Sequence, residues 1–70
     1  MLTLTFNSTK KTALLSKESG TILADYSDVP TVQVRDGYYE IMQKQITDET
    51  EARFPVCRLP ISNTLMFLTK

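Results

Sequence analysis

The sequence predicts a mainly β chain: a small antiparallel sheet or SH3-like barrel of six to seven short strands, with at most one short helix. Three observations lead there. Leu2, Leu4 and Phe6 alternate with Thr3 and Thr5, the two-residue period of a strand with one buried face. Asp36-Gly37 stands between two segments rich in β-branched and aromatic residues, the signature of a tight hairpin. Pro55 and Pro60 bracket an extended segment that suits a strand at a sheet edge or corner, since proline cannot donate to a ladder.

In chain order, Leu2 to Phe6 is the first strand and Asn7-Ser8-Thr9-Lys10 a turn. Thr12 to Leu15 is a second apolar piece, closed by Ser16-Lys17-Glu18-Ser19-Gly20. A helix capped by Ser8 and ended by Gly20 competes for this stretch. It would bring only Ala13, Leu14 and Leu15 to a core, a narrow stripe for a helix, so the strand is preferred. Thr21-Ile22-Leu23-Ala24 resumes the strand pattern. Tyr26-Ser27-Asp28-Val29-Pro30 has turn chemistry, with Pro30 holding Val29 extended.

Asp-Gly suits a two-residue type I′ turn, in which both central residues need positive φ. That turn fixes a register. Arg35 opposes Tyr38, Val34 Tyr39, Gln33 Glu40, Val32 Ile41 and Thr31 Met42. One face then carries Val32, Val34, Tyr39 and Ile41 and is expected in the core. The other carries Arg35, Tyr38, Gln33, Glu40, Thr31 and Met42 and is expected outside. A slip of one residue would undo this sorting.

Beyond Met42, Gln43 to Ile46 continues the strand, and Thr47-Asp48-Glu49-Thr50-Glu51 reads as an exposed acidic loop. An amphipathic helix over residues 40–53 is the alternative, since the Gln, Lys and Glu content suits one. Phe54 to Ile61 is extended. Its prolines cannot donate to a ladder, which places it at a sheet edge or corner. Ser62-Asn63-Thr64 turns the chain. Leu65-Met66-Phe67-Leu68 is apolar on both faces and is expected as a strand covered on both sides.

Composition excludes several function classes. Seventy residues suit one domain, residues 1–70, and bury too little surface for a stability margin without help. The single cysteine, Cys57, rules out an intramolecular disulfide, and with no histidine the ligand sets of structural zinc are missing. No metal or other cofactor is expected. The chain opens on an alternating pattern, not on a basic region followed by a long apolar stretch, so neither a signal peptide nor a transmembrane helix is expected. With an unpaired thiol as well, the expected compartment is the cytoplasm.

The residues also argue against an enzyme. The commonest general base, histidine, is absent. Cys57 has no base beside it and reads as a buried apolar thiol. Asp25, Asp28, Asp48, Glu49 and Glu51 fall in turns, where carboxylates solvate the chain. Gly20 and Gly37 stand alone, so no phosphate loop can form.

Two binding functions remain. The first is a non-catalytic protein–protein interaction module: a small assembly subunit, adaptor or inhibitor, with a protein partner or further copies of itself. Arg35, Tyr38 and Met42 share the outward face of the hairpin and are residue types enriched at interfaces. Leu65 to Leu68, Leu14 with Leu15, and Val56 supply more apolar surface than so small an interior can take. The alternative is a nucleic-acid-binding small barrel, using Tyr26, Tyr38, Arg35, Lys44, Arg53 and Arg58. Eight basic and eight acidic residues cancel, which disfavours it, because backbone neutralisation supplies much of such affinity.

Overall fold

A computed structural model of the chain describes residues 1–47 and 50–70. Seven strands follow in order: β1 (Leu2–Asn7), β2 (Thr12–Lys17), β3 (Ile22–Tyr26), β4 (Thr31–Arg35), β5 (Tyr38–Thr47), β6 (Thr50–Pro60) and β7 (Thr64–Thr69). A 3-10 turn, Ile61–Asn63, joins β6 to β7. The mainly β expectation holds. Where a helix competed, Thr12–Lys17 and the described residues of 40–53 are strand, and Asp48 and Glu49 of the expected acidic loop lie outside the described residues. Its other members, Thr47, Thr50 and Glu51, are in strands and not in a loop, since Thr47 pairs with Thr50 and Glu51 with Ile46.

The strands form two sheets, ordered β3-β2-β1-β7 and β4-β5-β6. Leu4, Ala13 and Leu15 from the first sheet meet Ile41 and Leu59 from the second in one buried cluster. Tyr39 and Phe67 meet across the same interface, ring centroids 4.8 Å apart and tilted by 49°. One ladder departs from the antiparallel expectation: β1 and β7 run parallel. Their ends are tied where the Lys70 amide donates to the Phe6 carbonyl and the Ser8 amide to the Lys70 carbonyl.

Val29 is the sixth member of the core and comes from a loop. Pro30 keeps it extended, its amide donates to the Lys11 carbonyl, and the Asp28 carbonyl accepts from the Lys44 amide. The β3–β4 connection is thereby stitched to both sheets. Gln43 adds a side-chain bond, Nε2 donating to the Ser27 carbonyl at 2.9 Å.

The hairpin has the register that the turn dictates, all five pairs included. Asp36 (φ 50°) and Gly37 (φ 80°) are both left-handed, as a type I′ turn requires. The sorting of faces needs two corrections. Val34, assigned to the core, is 63% exposed, because β4 is an edge strand and Val34 sits near its outer end. Glu40, assigned to the outside, is buried. It lies on the central strand between Gln33 and Arg58, and Arg58 pairs with it.

β6 is an edge strand, as its prolines require. Its register shifts between the Ile41 and Met42 pairs, leaving Val56 unpaired as a bulge. Cys57, expected to be buried, is half-buried and packs against the core from this edge. The expectation for 65–68 is overturned. β7 is the edge of the four-stranded sheet, and Leu65, Met66 and Leu68 are 50%, 48% and 41% exposed. Only Phe67 packs inward against the core.

Candidate functional site

The outer face of the β4-β5-β6 sheet holds the residues singled out from the sequence. Tyr39 and Ile41 point to the core, so Tyr38, Glu40, Met42 and Lys44 share the opposite side of β5. The ladders build this face in rows: Arg35, Tyr38, Pro60; Gln33, Glu40, Arg58; Thr31, Met42, Pro55; then Lys44 with Arg53. Arg35 and Tyr38 are adjacent and exposed. They border an open depression of about 110 Å³ completed by Asp36, Glu40 and Arg58.

Met42 is not part of that depression. It is half-buried one row beyond Glu40 and Arg58, so the expected trio is divided into a polar, aromatic end and a partly covered methionine. Between them the Arg58 Nε donates to the Glu40 Oε2 at 2.8 Å. The carboxylate side chain is 5% exposed and the arginine 62%. Solvent around Arg58 screens this bond below the about 1.5–3 kcal/mol of a fully shielded charge-assisted one, and both partners line the depression.

Tyr26 is half-buried and lies apart from the rows of the β4-β5-β6 outer face. It packs against the core and meets the Cys57 thiol, and its phenol pKa is raised, first by burial and then by the hydrogen bond and charge of Cys57. Among the described residues no group of three or more Cys, Asp or Glu side chains could hold a metal ion. No helix there is long and apolar enough to cross a membrane.

The second surface lies on the outer face of the four-stranded sheet. Leu4, Ala13 and Leu15 point inward, so Thr3, Thr5 and Leu14 point out. Thr3 aligns with Met66, and Thr5 with Leu14 and Leu68. Leu23, beside the inward Ala24 on β3, adds a further exposed leucine. The surplus of apolar side chains was readable from the sequence; the edge position that exposes Met66 and Leu68 was not.

Comparison with protein-family models, with curated proteins and with solved structures finds no match.

Proposed function

We propose that this chain is a non-catalytic protein-binding module, serving as a small assembly subunit, adaptor or inhibitor. The observation that supports this most is the uncovered apolar face of the four-stranded sheet. Leu23, Leu65, Met66 and Leu68 are all exposed there or along its edges, while the buried hydrophobic core among the described residues is six aliphatic side chains with no aromatic ring. The three β7 residues stand together at one edge and Leu23 at the other, with the outward Thr3, Thr5 and Leu14 between them, and exposed apolar side chains grouped as on β7 mark a contact site. An edge strand also leaves backbone groups free to pair with another chain. Arg35 and Tyr38, on the other sheet, offer a second and smaller contact. The lone thiol of Cys57 supports a reducing compartment, the cytoplasm.

Nucleic-acid binding is the second reading. It draws on one alignment, the rows that place Arg35, Tyr38, Arg58, Lys44 and Arg53 on a single sheet face. The inward position of Tyr26 takes away one of its two stacking residues. Ionic strength separates the readings. A contact through Met66 and Leu68 is nearly insensitive to salt, whereas a phosphate-backbone contact weakens steeply. Sedimentation at low and high salt, with and without a single-stranded oligonucleotide, tests both. An oligonucleotide complex that dissolves in salt would overturn the protein-binding reading.

A further inference from the structure

We propose that the cleft at the junction of the two sheets binds a small tetrahedral oxyanion, the phosphate of a monoester or free inorganic phosphate. The cleft encloses about 250 Å³ and is lined by Lys11, Asp28, Pro30, Lys44, Glu51 and Arg53. Lys44 and Arg53 stand directly opposite each other on β5 and β6, and like charges facing across a ladder repel. Neither Lys11 nor Lys44 makes an ion pair among the described residues. Arg53 reaches Glu51 through Nε at 3.5 Å, with both side chains well exposed, a weak pair that leaves the rest of the guanidinium free. An anion seated between the three cations would turn this repulsion into attraction.

The frame is built to hold them. Lys11 takes part in the bond from the Val29 amide, and Asp28 in the bond from the Lys44 amide, so the segments carrying Lys11, Asp28 and Lys44 are fixed to one another. Among the described residues, Lys11 (φ 57°) and Asp28 (φ 55°) are also the two non-glycine residues outside the Asp36-Gly37 turn with left-handed backbones. Such strain concentrates at binding sites, and here both strained residues face the same cleft.

Size and charge select the ligand. The volume falls below the roughly 300–1,000 Å³ of sites for drug-sized molecules, which suits a single phosphate group. Three cationic and two anionic side chains line the cleft, so its net charge of one suits a single anion and not the repeated charges of a nucleic-acid strand.

The test measures the thermal midpoint and binding isotherm of the full chain with sodium phosphate, with sodium chloride at equal ionic strength, with free phosphoserine and with a single-stranded oligonucleotide. Phosphate and phosphoserine should raise the midpoint where chloride does not, and the tighter of the two identifies the natural source. Lys44→Gln should weaken phosphate binding by about tenfold or more, the loss of one charge-assisted contact. It should also raise the midpoint measured without phosphate, because the repulsion from Arg53 is gone. Lys11→Gln should weaken binding in the same way if Lys44→Gln does not fold, and Lys17→Gln, on the exposed end of β2, should change nothing. A phosphate response equal to that of chloride, or unchanged in the cleft variants, overturns the proposal. So does oligonucleotide binding without phosphate binding.

Discussion

The Glu40 carboxylate lies 2.8 Å from the Nε of Arg58, the residue directly opposite it on β6. One member of the pair is buried and the other exposed, so their removal has unequal consequences. Arg58→Met strands a buried carboxylate without its donor and should cost about 1–3 kcal/mol. Glu40→Gln keeps the shape and a hydrogen-bonding group and should cost less. Urea denaturation of the two variants measures the difference; equal midpoints would mean that the ion pair does not hold this face.

Gly37 tests the hairpin. A Cβ at this position would meet nothing within 4 Å, yet φ is +80°, so a substitution is felt through the backbone alone. Gly37→Val should lose at least about 1 kcal/mol and Gly37→Asn clearly less, since Asn tolerates the left-handed region. Coinciding urea midpoints would rule out the type I′ turn.

Tyr38 and Tyr39 are neighbours with opposite roles. Tyr39→Ala removes the ring packed on Phe67 and should cost toward the lower end of about 3–5 kcal/mol, because it is only half-buried. Tyr38→Ala, at an exposed position, should stay within about 0.5 kcal/mol. Thermal denaturation ranks them, and a reversed order would contradict the assignment of faces.

Tyr26 makes stability depend on alkaline pH. Burial, and after it Cys57, raises its pKa above the ordinary 10.0 in the folded chain. As the pH climbs past 10, the unfolded chain therefore loses the phenolic proton first. The stabilisation is fully present below that pH and is lost as the pH rises through the folded pKa. Tyr26→Phe should flatten the decline; identical alkaline denaturation curves would show that Tyr26 does not drive it.

The fold was legible where the residues themselves fix geometry. Asp36-Gly37 imposed the turn and hence five pairs in register. Pro55 and Pro60 restricted β6 to an edge. What was hidden depends on which strands become neighbours. The pattern of 65–68 does not reveal that β7 joins β1 in parallel as an edge, which leaves Met66 and Leu68 in solvent. Glu40 looked like any outward carboxylate until Arg58 was placed opposite it. The junction cleft joins Lys11, Lys44 and Arg53 from three separate segments, so sequence spacing carried no sign of it. Of the candidate surface, the common face of Arg35, Tyr38 and Met42 was legible from the turn register; that Met42 is half-buried there, outside the depression that Arg35 and Tyr38 border, was not.

Protein binding through the outer face of the β3-β2-β1-β7 sheet, proposed above, stands or falls on Met66 and Leu68. Quantitative capture from the native host, with immobilised wild type set against a Met66→Lys, Leu68→Lys double variant, tests it most directly. Both positions are exposed, so the variant should remain folded, which circular dichroism checks. One stoichiometric partner, or further copies of the chain itself, should be retained by the wild type and lost by the variant. Equal retention by both, or no retention above background by either, would contradict it.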